Sequence, residues 1–180
     1  MGWKALRDKY GIRHIVHVRP GYVCIGSPYV TELVKVNMTT GELIESPTFS
    51  GFLKREYPDL LAASPREVLG VINEVDSFEK SEVVFTYADG KIHSLLCEEV
   101  GWPNATHDGE LMYENTFSAD KGQVVRWAHA SAEQGVNFAA SVVASVEAEL
   151  AQRKEHLAKL QAEYAELRAS HPNTDEQLPL

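Results

Sequence analysis

From Ala119 to Ser170 the chain runs without a proline, and Gly135 is the one candidate breaker in the interior of that stretch. Within it Val143, Val146, Leu150, Leu157, Leu160, Tyr164 and Leu167 recur at alternating steps of three and four, with Arg153 the polar intruder. This is a heptad seam of about three and a half repeats, flanked by Glu, Lys and Gln. At 1.5 Å per residue the helix it predicts is roughly 75 Å long, more than a compact domain can cover. A stripe this narrow must pair with something. The pattern therefore predicts a helix over 119–170 whose seam assembles homo-oligomers, with a helix folded back at Gly135 into an antiparallel hairpin as the competing arrangement.

Residues 1–118 read as an α+β domain. Trp3, Leu6 and Tyr10 have helical spacing, and Gly11 provides a stop. Alternation in IRHIVHVR, then YVCIG, YVTELVKVN and ELIE, separated by Pro20-Gly21, Ser27-Pro28 and a Thr-Thr-Gly turn, predicts an antiparallel meander. Its buried face would be built from Val23, Ile25, Val30, Leu33, Val34 and Val36. Short helical pieces follow. In SPREVLGVINEV, Ser64 caps, Pro65 suits the first helical position and Glu67 completes a capping box, ahead of a stripe of Val68, Leu69, Ile72 and Val75. SEVVFTY and KIHSLLC flank Asp89-Gly90, a hairpin signature. The polar segment 171–180 reads as a disordered tail.

Charge and composition narrow the function classes. With 17 basic and 26 acidic residues, the formal charge of −9 argues against direct nucleic-acid binding. No run reaches the roughly 18 apolar residues of a membrane span, and the N-terminus lacks a secretory signal, so a cytoplasmic protein is expected. Cys24 and Cys97 lie too far apart for a metal knuckle or a disulfide framework and read as buried thiols. No phosphate-binding or dinucleotide glycine pattern occurs, and the sequence requires no cofactor.

The segment CEEVGWPNATHDGELMYENTF, Cys97 to Phe117, concentrates the remaining chemistry. It carries Glu98, Glu99, Asp108, Glu110 and Glu114 without a Lys or Arg, together with Trp102, His107, Tyr113 and Phe117. An irregular stretch this long inside a domain is usually functional or disordered, and its aromatic anchors argue for order. Residues 98–117 are thus expected to form a recognition loop, with Trp102, Asn104, His107, Asp108 and Tyr113 as binding residues. The basic segment 1–19 provides Arg13 and Arg19. With His17 these share one strand face by a period of two and could meet an anion or the acidic loop itself. A metal site or a hydrolase using His107 as base and Asp108 as orienter, with Glu98 or Glu110 assisting, is the enzymatic alternative; its spacing matches no ligand or catalytic motif.

GWKALRDKYGI together with GWPNATHDGELMYENTF resembles small accessory proteins encoded by phages and prophages. The resemblance extends through about Trp127 and brings no catalytic residues with it. It implies a protein that inhibits a host component or sequesters a nucleotide-like small molecule in the cytoplasm of a bacterial host. The expectation is a non-enzymatic oligomeric binder whose partner is a host protein or such a molecule; a phage structural or assembly protein is a further alternative.

Overall fold

The computed structural model describes residues 2–171, and the predicted tail beyond His171 lies outside the described residues. The chain divides into two units, one ending at His129 and the other beginning at Ala130. The first unit opens with α1 (Trp3–Lys9), followed by the strands β1 (Ile15–Arg19), β2 (Tyr22–Gly26), β3 (Val34–Asn37) and β4 (Leu43–Glu45). These form one antiparallel sheet in the order β1-β2-β3-β4, the meander that the turn signals predict. After a single 3₁₀ turn come α2 (Phe52–Glu56), α3 (Pro58–Ala62) and α4 (Pro65–Ile72). The hairpin of β5 (Glu82–Ala88) and β6 (Lys91–Cys97) forms a separate two-stranded sheet. Its turn places Asp89 and Gly90 both at positive φ, as an Asp-Gly hairpin turn requires.

One apolar cluster joins the four-stranded sheet to the helices. Leu6, Val23, Ile25, Val34, Val36, Leu60 and Val68 are fully buried in it. At α4 the Ser64 side chain accepts from the Glu67 backbone N–H, so the predicted cap forms. The Glu67 carboxylate does not close the box; it bonds Lys9 at 2.9 Å instead. Val75, expected on the α4 stripe, lies past the helix end and is exposed.

The third strand is shorter than the alternation predicts. Residues 27–32 leave the ladder and turn back toward β1, bringing the Thr31 carbonyl within 2.9 Å of His17 Nε2. Gly26 permits this, because a Cβ there would lie 2.2 Å from the Thr31 oxygen. His17 is consequently buried beside Val16, and the expected basic face of Arg13, His17 and Arg19 does not form. Arg13 precedes the strand, and Arg19 ends it.

A second cluster of Val84, Cys97, Met112 and Phe117 lies under the hairpin. It is built from the acidic loop and the strands that lead into it. Burial pushes the Cys24 thiol up to about 11 and raises that of Cys97, so neither presents a thiolate at neutral pH.

The helix α5 (Lys121–Ser170) is continuous through Gly135, and the hairpin alternative is not adopted. Val124, in its first turns, is fully buried. From Ala130 to Ser170 every residue is exposed, the seam included. No helix among the described residues is long and apolar enough to cross a membrane.

Candidate functional site

The acidic loop is folded, and its anchors explain how. Bridges pair Cys97 with Thr106, Ala105 with Leu111 and Phe85 with Ser118, so the loop continues the hairpin in irregular form. Thr106 and Met112 are fully buried beneath it. Three contacts fasten the loop to the N-terminal segment. Trp3 Nε1 donates to the His107 carbonyl at 3.0 Å, and the Val18 N–H donates to the Gly109 carbonyl at 2.7 Å. Lys4 Nζ meets Glu98 Oε1 at 2.6 Å and also donates to the Ser77 carbonyl. The basic start of the chain and its acidic middle thus pair within the first unit, but through Lys4 rather than through Arg13 or Arg19.

Partial burial alone would raise the Glu98 carboxyl. Lys4, with the Glu79 N–H donating at 2.8 Å, overcomes this and holds it below the ordinary carboxylate range. Glu98 is therefore a committed anion with a structural partner.

The candidate residues divide among separate places. His107 stacks on Phe78 with ring centroids 3.7 Å apart, and its Nε2 lies 3.1 Å from the Lys80 carbonyl. That geometry secures the loop. Among the described residues His107 forms no hydrogen bond with Asp108, so the base-and-orienter pair is not assembled, and no group of three or more His, Cys, Asp or Glu side chains is placed to hold a metal ion. Asp108 lies instead with Arg19 and Glu110 along a shallow groove that also includes Val18, Pro20 and Met38. There desolvation, with Asp108 alongside, raises the Glu110 carboxyl although His93 opposes it. Trp102 and Tyr113 stack on each other at 5.0 Å, with Tyr113 exposed.

Arg13 and Asn104 come together. They line a cleft of about 400 Å³ between the α1–β1 segment and the loop, with Arg7, His14, Glu98 and Glu99. Neither the Arg13 guanidinium nor the Glu99 carboxylate has a hydrogen-bonding or ionic partner among the described residues. Of the charged groups lining the cleft, Arg7 pairs with Asp8 and Glu98 with Lys4, which leaves Arg13 and Glu99 facing it without a partner among the described residues.

Tyr57, which no sequence motif singles out, holds His14 at the cleft. The Tyr57 hydroxyl accepts from the backbone N–H groups of Arg13 and His14, each at 3.2 Å, and lies 2.5 Å from His14 Nδ1. With both oxygen lone pairs engaged, the hydroxyl proton is directed at Nδ1, which leaves Nε2 as the ring nitrogen free to face the cleft. His14 thereby lines the cleft with its ring held in place by Tyr57. Nothing in the sequence links Tyr57 to the residues just before β1, more than forty positions earlier, and only the tertiary fold could reveal the pair. Comparison of the chain with protein-family models, with curated proteins and with solved structures finds no match.

Proposed function

We propose that this chain is a non-enzymatic binding protein that works as a homo-oligomer, and that the cleft between the α1–β1 segment and the acidic loop receives its ligand. The observation that carries the reading is that Arg13 and Glu99, each without a partner among the described residues, line one cleft. Its volume of about 400 Å³ is within the range of small-ligand sites. A ligand with an anionic group directed to Arg13 and Arg7 beside His14, and a cationic or amine group directed to Glu99, matches that lining. A nucleotide-like molecule has both kinds of group, and so does a charged segment of a host protein, the partners that the phage resemblance implies. The stacked Trp102 and Tyr113 add an aromatic platform on the same loop.

Native mass spectrometry of the freshly purified protein, followed by titration calorimetry with nucleoside monophosphates and with charged peptides, tests this. Binding that Arg13→Glu abolishes at unchanged melting temperature supports the cleft. Binding that survives both Arg13→Glu and Trp102→Ala places the ligand elsewhere and overturns the assignment.

A further inference from the structure

The seam of α5 from Val143 to Leu167 is unpartnered in the single chain, its apolar members 47% to 59% exposed. A regular apolar stripe of this length needs an occupant. The charges beside it select one. With Val143 at heptad position a, Glu149 and Glu163 fall at g, while Lys154 and Arg168 fall at e. In parallel helices in register, each g residue faces the e residue five positions on in the partner. Glu149 then meets Lys154 of the second copy, and Glu163 meets Arg168, each contact occurring twice by symmetry.

The antiparallel arrangement gives the opposite result. With the seam fully overlapped, Val143 lies opposite Leu167, g faces g and e faces e. Glu149 then meets Glu163, and Lys154 meets its own copy. Like charges would flank the seam on both sides.

Arg153 decides the register. It occupies a core d position and is the polar member of the seam. Its guanidinium already bonds Glu149 of its own helix at 2.5 and 2.9 Å, so it brings a countercharge into the layer. In register, Arg153 lies beside Arg153 of the second copy, each with its carboxylate. Displacement by one heptad would set it against Val146 or Leu160 and desolvate the charge against an apolar side chain. A single polar core position is a known means of fixing register.

From this juxtaposition we infer that α5 binds a second copy of this chain, parallel and in register, along residues 143–167. The inference rests on the oligomeric part of the proposed function and specifies its geometry. Sedimentation equilibrium of the full chain tests both, and they fail in different ways. A monomer at every concentration overturns the oligomeric reading and this inference together. If copies associate, Glu163→Lys should weaken association roughly five-fold in the parallel arrangement, because it sets Lys against Arg168, and adding Arg168→Glu should restore it. In the antiparallel arrangement Glu163→Lys would tighten association by facing Glu149, and that result overturns the inference while leaving the oligomer standing. Unchanged affinity overturns the register. As an independent readout, Leu167→Cys should cross-link to itself on oxidation in the parallel form. A mixture of Val143→Cys and Leu167→Cys chains that cross-links only as the mixed pair would refute that form.

Discussion

His17 occupies a strand position from which alternation would direct a polar side chain outward, yet only 1% of it is exposed. The cause is the returning segment 27–32, whose Thr31 carbonyl accepts a hydrogen bond from Nε2–H. Burial, aided by nearby Arg19, holds the imidazole below its ordinary 6.5, against the pull of Thr31 and Glu32. The unfolded chain therefore binds a proton near pH 6.5 that the folded chain refuses. The stability contributed by neutral His17 is full above about pH 6.5 and is lost as pH falls below it, at no more than about 1.4 kcal/mol per pH unit. Thermal melts between pH 8 and pH 5 should show this decline, and His17→Gln should flatten it relative to the parent. Lys4 supports a second prediction. It is tethered to Glu98 and to Ser77 where little solvent reaches it, so Lys4→Met strands a partly buried carboxylate. Loss of about 2 kcal/mol in denaturant titration is expected, since removing one member of a buried pair leaves the other uncompensated. A change under about 0.5 kcal/mol would mean that the contact behaves as an ordinary surface pair.

At the scale of elements, the central junction is the acidic loop lying along β1, which is an edge strand of its sheet. An uncovered edge offers free N–H groups, and the loop takes one of them where Val18 donates to Gly109. Gly109 has φ of 83°, and a Cβ there would lie 2.2 Å from Val18 Cγ2 and 3.1 Å from Trp3 Cδ1. Gly109→Ala should therefore cost about 2–3 kcal/mol through backbone strain and overpacking together. Denaturation followed by tryptophan fluorescence would measure this, and a neutral result would mean that the loop is not seated on β1. Most of the elements were legible in the sequence because their signals are local: alternation and turn residues for the meander, Asp89-Gly90 for the hairpin, Ser64-Pro65 for the start of α4. The site was legible only as a segment. Trp102, Asn104, His107, Asp108 and Tyr113 adjoin in sequence, but side-chain direction sends them to different surroundings. His107 goes to Phe78, Asp108 to the groove with Arg19, and Asn104 to the cleft with Arg13. Contacts such as Tyr57 with His14 join chain segments that no periodicity connects, so they were out of reach.

On the scale of the whole molecule the two units are held by different physics. The first has its own buried clusters, and its stability is set within one chain. The second, from Ala130, has no buried residue among those described, and its only sources of stability in a lone chain are helix propensity and i,i+4 pairs such as Glu149 with Arg153. Alanine-rich sequence helps, but each such pair contributes only about 0.3–0.5 kcal/mol, and a helix without a packed face melts gradually. The proposed association would change this, because burying the seam couples helix formation to mass action. Circular dichroism of the full chain at 222 nm should then show two components on heating. One, from the first unit, keeps its midpoint as protein concentration rises; the other, from the long helix, shifts upward by several degrees per tenfold increase. Leu157→Lys should abolish the shifting component's concentration dependence and leave the first unit's midpoint in place. A helical signal that melts at the same temperature at every concentration, in the parent as in the variant, would mean that the exposed seam has no partner in the second copy.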